Sequence, residues 1–276
     1  MSAPRSALSI RDALYEAPGP RTRRRVLIGT VITGALVLLG IAAVVRQFYV
    51  TGQLAPRYWS LFLQWTTWRF LGQGLLGTIS VALAAGAIAL VLGLLLMLGR
   101  TSGVRPLSAL CRVVTDFFRG VPSLLLIYFF FFVPAQLGLK MPSFWMLTLP
   151  VALAASGVLA EVFRAGVNAV PKGQVEAALS IGLSPAKTMR RIVLPQAVRY
   201  VIPSLIAQLV VVVKDTTVAY VVSFPDLMQN ARVLITSYDA LVSMYLVIAV
   251  IYILINFAIN KAALYVSRKT GAKIIR

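Results

Sequence analysis

Histidine is absent from all 276 residues, which excludes imidazole metal sites, a Ser-His-Asp triad and a His-Glu-x-x-His zinc site. A single cysteine, Cys111, excludes an intrachain disulfide. No Gly-x-x-x-x-Gly-Lys-Ser/Thr segment occurs, so any ATP is hydrolysed on another polypeptide. Acidic residues are scarce as well: eight Asp and Glu stand against 27 Lys and Arg, a net charge of +19. Polar residues are too few for a water-soluble globule of this length, with 59% hydrophobic side chains and a mean hydropathy of +0.86. These absences leave a membrane protein that performs no bond chemistry of its own.

Apolar runs long enough to cross about 30 Å of hydrocarbon, roughly 20 helical residues each, lie near 26–45, 71–98, 118–136, 143–160, 201–222 and 241–260. The sequence therefore predicts an all-α integral membrane protein with six transmembrane helices. Where the cations sit decides what the charge means. Segments 1–25, 99–119, 161–200 and 261–276 hold 21 of the 27, the alternate segments 46–70, 136–142 and 223–240 hold five, and Lys214 falls inside a span. Cationic loops stay on the cytoplasmic side, so both termini and the 161–200 loop are expected inside, in a multi-pass plasma-membrane protein. The charge reads as topology, with no nucleic-acid partner. Cys111 then lies in a cytoplasmic loop, where a reduced thiol is expected.

Four regions follow. Residues 1–25 form a cytoplasmic basic tail ending in Arg21-Thr22-Arg23-Arg24-Arg25, suited to anionic headgroups of membrane lipids. Residues 26–70 hold the first transmembrane helix and an external segment with Phe48, Tyr49, Tyr58, Trp59, Trp65 and Trp68, suited to the headgroup layer. Residues 71–262 read as one five-span domain and 263–276 as a second basic tail. In the second span Ala85, Ala89 and Gly93 form a small-residue stripe that admits a close neighbour, either within one subunit or between two. Pro122 stands near the start of the third span, and the aromatic run from Tyr128 to Phe132 is expected against lipid or neighbouring helices.

The 161–200 loop carries the inference. Pro171-Lys172-Gly173 breaks the preceding helix, and Gln174 to Ile181 suffices for about two helical turns with one apolar face. Gly182 can end that helix in the left-handed conformation. Ser184 suits an N-cap and Pro185 the first position of a second helix, which Leu194-Pro195 is expected to halt or kink. A short rigid helix held beyond the membrane can transmit rigid-body movement. Glu176, Ala177, Ala178, Gly182, Ile192, Leu194 and Pro195 match, at seven positions, the EAA loop of importer-type ABC transporter permeases. Together with Ala160-Glu161, Arg164-Ala165-Gly166, Pro171 to Gln174 and Gln196-Ala197 with Arg199, they make residues 70–262 resemble the permeases of polar amino-acid ABC importers. The likeness is strongest to the glutamate-type branch, especially its longer actinobacterial subunit.

The resemblance implies a five-helix permease core plus one N-terminal helix, with a cytoplasmic coupling helix between spans 4 and 5. It implies that the seven residues couple to a cytoplasmic ABC ATPase dimer, which binds ATP and Mg, while this chain holds no cofactor or metal. It also implies a second permease subunit, an extracellular substrate-binding protein, and as substrate glutamate or a related acidic or amide amino acid. The long N-terminal part favours a paralogue over an identical copy as the second permease. Lys214, Thr216 and Thr217 resemble a Lys-(Asn/Asp)-Thr-Ser segment of the family, with Thr217 in place of Ser. A charge near mid-membrane costs roughly 2.5–3.5 kcal/mol, so Lys214 faces protein or water; it either meets a substrate carboxylate or anchors spans. Val121, Ser123 and Leu126 replace the family's frequent Thr, Leu and Gln, which weakens any transfer of substrate contacts to the third span. The rival is a secondary transporter driven by an ion gradient, a class with intramembrane carboxylates, whereas Asp215 is the one acidic residue well inside a span here.

Overall fold

The computed structural model describes residues 19–269; residues 1–18 and 270–276 of the two expected basic tails lie outside the described residues. The chain divides into two units, Met1–Ala55 and Pro56–Arg276. The first contains helix α1, Pro20–Val50, which buries none of its residues. Its stretch from Val26 to Val45 carries no charged side chain and is long enough to cross the hydrocarbon layer.

The second unit begins with two 3₁₀ turns, Pro56–Tyr58 and Ser60–Leu63, in the aromatic segment expected at the headgroup layer. Tyr58 and Leu61 are buried and the Ser243 hydroxyl donates to the Tyr58 carbonyl at 2.9 Å, while Trp59, Trp65 and Trp68 stay exposed. Then follow α2 (Trp65–Arg100), α3 (Arg105–Gly120), α4 (Ser123–Gln136), α5 (Ser143–Ala169) and α6 (Lys172–Ser180). The next helix is composite: α7 (Pro185–Thr188), a π-helical turn (Met189–Val193), α8 (Leu194–Asp215) and a 3₁₀ segment (Thr216–Val222). Helices α9 (Leu227–Tyr238) and α10 (Leu241–Lys269) complete the unit, with no strand among the described residues.

Among the described residues five helices are long and apolar enough to cross a membrane, and the pair α3 and α4, bent by 98°, makes a sixth if the two are taken as one broken span. That bend corrects the span expected at 118–136. Pro122 disfavours the helical conformation at Val121, which is extended (φ −86°, ψ 126°), so Phe117, Phe118 and Arg119 close α3 and the membrane helix starts at Ser123. Helix α4, with 14 residues, is about 21 Å long, short of the hydrocarbon thickness. Helix α3 occupies much of the expected 99–119 loop. Its face of Ser108, Cys111, Val114, Thr115 and Phe118 packs inward at helical spacing.

The core lies where α2, α5 and α8 meet, around Val81, Ala85, Ala89, Leu147, Val151, Ala155, Leu159, Val201 and Val212. In lipid the drive for such packing is close contact rather than water exclusion, and small residues permit it. A β-carbon at Gly93 would lie 2.8 Å from Leu159 Cβ and 3.1 Å from Ala160 N. The Ala85, Ala89, Gly93 stripe is thus spent inside this subunit.

Candidate functional site

Beyond α5, Pro171 holds Val170 extended and the chain turns into α6. One face of α6 is clamped: Val175 packs with Val170, Met189, Val193 and Ala197, and Ala178 is 4% exposed. The other face is open, with Glu176, Ala177 and Leu179 exposed and Ile181 78% exposed at its end. The helix closes with paired reverse hydrogen bonds: Leu183 N–H donates to the Ala178 carbonyl at 3.1 Å and Gly182 N–H to the Leu179 carbonyl at 3.0 Å. This closure requires a left-handed residue, and Gly182 supplies φ +81°. Ser184 Oγ then accepts from Lys187 N–H at 3.5 Å, with Pro185 at the first helical position.

Pro195 does not halt the second helix. A proline in a regular helix clashes with the carbonyl four residues earlier, here Arg191, and that residue sits in the π-helical turn Met189–Val193, whose wider ladder accommodates the ring. The helix therefore runs on from Pro185 to Val222. Of the seven predicted coupling residues, Glu176, Ala177, Ala178 and Gly182 lie on α6 and its cap, and Ile192, Leu194 and Pro195 lie on the helix bracing it. Gly166 fixes the crossing beneath them, because a β-carbon there would stand 2.9 Å from the Ala197 carbonyl oxygen. Leu179 and Ile181, outside the predicted set, extend the open face.

At the same end of the bundle, Glu161 gathers three arginines. Its carboxylate accepts from Arg100, receives Arg164 through Nε at 2.8 Å and Nη2 at 2.7 Å, and lies 3.4 Å from Arg119 Nη1. Asp116 stands 3.8 Å from Arg119 and 4.0 Å from Arg100. The cluster ties α2, α3 and α5 together. Motif strings contain Glu161 and Arg164, but partners this distant in sequence leave no local signal.

In the membrane part, Lys214 is exposed on the last turn of α8. Thr217 is half-buried with its hydroxyl donating to the Lys214 carbonyl at 2.7 Å, while Thr216 is fully buried and donates to the Val213 carbonyl at 2.8 Å. Lys214 and Thr217 thus share a side from which Thr216 turns away. After Val222, Ser223 takes a left-handed conformation (φ 51°) and the chain packs onto α2, with Leu227 N–H donating to Thr78 Oγ1 at 3.1 Å and Asn230 Nδ2 to the Phe70 carbonyl at 2.7 Å. Asp226, between spans, caps α9 by accepting from Gln229 N–H at 2.7 Å; burial pushes its carboxyl up to about 6.

The family described as binding-protein-dependent transport system inner membrane component matches residues 89–271. The glutamate transport system permease protein GluD of Corynebacterium glutamicum is 32% identical over 225 residues, 80% of this chain and 82% of that protein. The probable glutamine ABC transporter permease protein GlnP of Bacillus subtilis is 34% identical over 197 residues, 70% of this chain and 90% of that protein. A crystal structure of an amino acid ABC transporter with histidines is similar with a TM-score of 0.69 at 28% identity, covering 73% of this chain and 94% of that one. An inward facing conformation of the MetNI methionine ABC transporter shares the fold, with a TM-score of 0.65 at 17% identity over 75% of this chain and 99% of that one.

Proposed function

The chain belongs to the family of binding-protein-dependent transport system inner membrane components, and on that premise we propose that it is a permease subunit of an ATP-driven importer of polar amino acids. Glutamate or a related acidic or amide amino acid is the substrate, a reading supported by the names of the glutamate and glutamine relatives. The single observation that carries the coupling half of the reading is the form of α6: clamped through Val175 and Ala178, locked at Gly182, and open along Glu176, Ala177, Leu179 and Ile181. Small side chains on the open face admit close docking into a groove, and a locked helix moves as a body.

A cytoplasmic ATPase dimer binds ATP and Mg and grips α6, with Ile192, Leu194 and Pro195 bracing the arm from behind. Closure of the nucleotide sandwich shifts α6 and rocks the bundle between outward and inward access. Both termini and α6 face the cytoplasm, in line with the cation count of 21 to five. A second permease, a paralogue rather than an identical copy, faces the exposed side of α8, where Lys214 would otherwise meet lipid. An extracellular binding protein delivers the amino acid.

The test is co-purification and uptake with the genes for the permease pair, ATPase and binding protein expressed together. Tagged wild-type permease retains the ATPase and imports radiolabelled L-glutamate or L-glutamine on ATP alone. Glu176→Arg reaches the membrane in normal amount but loses ATPase and uptake. Wild-type ATPase retention and uptake in Glu176→Arg, or uptake that follows only an ion gradient, would refute the reading.

A further inference from the structure

From Val213 to Val222 burial follows a period of three. Val213, Thr216, Ala219 and Val222 are buried, while Lys214, Thr217 and Tyr220 lie on the open side, the two ends exposed and Thr217 half-buried. The cause is the 3₁₀ conformation of Thr216–Val222, which eclipses residues three apart. In a regular α-helix six residues of advance would turn Tyr220 about 240° away from Lys214. At about 2 Å rise per residue the line from Lys214 to Tyr220 is roughly 12 Å long.

The line does not end at Tyr220. The Arg232 guanidinium of α9 sits 4.3 Å over the Tyr220 ring, and the two residues line a cup of about 440 Å³ with Gln229, Thr236 and Ser237. Thr236 and Ser237 donate their hydroxyl protons back to the Arg232 and Val233 carbonyls, at 3.0 and 2.9 Å, so they present acceptor oxygens to the cup. Arg232 and the Gln229 amide supply the donors. Cation and acceptors side by side match the carboxylate and ammonium of an amino-acid zwitterion. Among the described residues every ion pair within 4.0 Å belongs to the Glu161 cluster, so neither Lys214 nor Arg232 has a carboxylate partner among them.

We infer that Lys214, Thr217, Tyr220 and Arg232 form a track for carboxylate groups, with the Arg232 cup as its outer station and Lys214 as its inner one. The inference rests on the permease reading and adds to it a route and a charge preference. Tyr220 holds the guanidinium over the line, and Thr217 lies on the same side between the two cations.

The test that does not depend on the cargo uses the full transporter in proteoliposomes with Thr217→Cys in a Cys111→Ala background. The thiol is reacted with an anionic and a cationic methanethiosulfonate of similar size. A cationic track makes the anionic reagent faster by about tenfold, Arg232→Gln and Lys214→Gln each shrink that preference, and Arg232→Lys keeps it. Equal rates for the two reagents, or a preference indifferent to both glutamine variants, overturn the track. In the second arm, initial uptake of L-glutamate relative to L-glutamine falls in Arg232→Gln and recovers in Arg232→Lys; an unchanged ratio also overturns it. A wild-type complex that imports neither amino acid but shows the thiol preference refutes the substrate reading and leaves the track standing.

Discussion

Gly182 offers the sharpest test of how the α6 arm works, because its conformational and contact roles separate cleanly. The residue sits at φ +81°, and a β-carbon built on it meets nothing within 4 Å. Substitution therefore costs only what the left-handed backbone costs, about 1–2 kcal/mol for a residue with a β-carbon and more for a β-branched one. Every 1.4 kcal/mol is a factor of ten, so Gly182→Ala lowers the population of the locked arm by roughly 5–30-fold and Gly182→Val by more. Asparagine tolerates the left-handed region better than alanine although its side chain is larger. The expected order in binding-protein-stimulated ATP hydrolysis and in uptake is Gly, Asn, Ala, Val, at equal membrane abundance. A steric clash in a docking groove would instead place Ala above Asn. That order, or full activity of Gly182→Val, would refute the claim that the closure of α6 sets coupling.

Three further outcomes are expected. Glu161→Gln removes the negative charge and one of the two acceptor oxygens shared by Arg100, Arg119 and Arg164 and costs about 2 kcal/mol, the scale of a hydrogen bond to a charged group; thermal unfolding in detergent measures it, with a smaller loss at high salt because Arg119 and Arg164 are partly exposed. Burial raises the Asp226 carboxyl from its ordinary value of 3.8 to about 6, so its contribution to stability is complete below about pH 4 and is lost as pH rises through 6; Asp226→Asn, which keeps a capping oxygen, should flatten the dependence of melting temperature on pH across that window. Gly93→Ala forces a β-carbon to 2.8 Å from Leu159 Cβ and should cost about 1–3 kcal/mol in the same assay, whereas Gly103→Ala, with nothing within 4 Å, should leave packing intact.

The elements legible in the sequence were those written in local chemistry. Apolar runs gave the long helices, and Gly182, Ser184 and Pro185 gave the turn after α6, because caps and left-handed residues act within a few positions. What escaped was set by tertiary geometry. The break before Ser123 was visible as Gly120-Val121-Pro122, yet hydropathy alone ran the third span through it to residue 118. Helix α3 was hidden in a basic stretch although Ser108, Cys111, Thr115 and Phe118 repeat at helical spacing. Glu161 could be placed in a motif but not joined to Arg100 and Arg119. Thr216 and Thr217 looked equivalent in the sequence, since nothing local announces that the helix tightens to three residues per turn and turns one inward and the other out.

The departures from regular helix at the two ends of Pro185–Val222 bear on how the arm and the membrane path communicate. Near one end the π-helical turn Met189–Val193 admits Pro195, so the arm that braces α6 is continuous with α8 rather than hinged to it. At the other end the 3₁₀ segment keeps Thr217 and Tyr220 in line with Lys214. Between them α8 is an unbroken helix of 22 residues despite Pro203. A tilt imposed on α6 through Val175, Val193 and Ala197 therefore swings the Lys214 line as one body. Insertion of a Gly-Gly pair at Leu205-Ile206 provides the decisive perturbation: adding two residues rotates everything beyond by about 200°, turning Lys214 away from its present face while leaving α6 and its cap untouched. ATPase binding should survive and uptake should vanish; retained uptake would show that the arm and the path are linked by some other route.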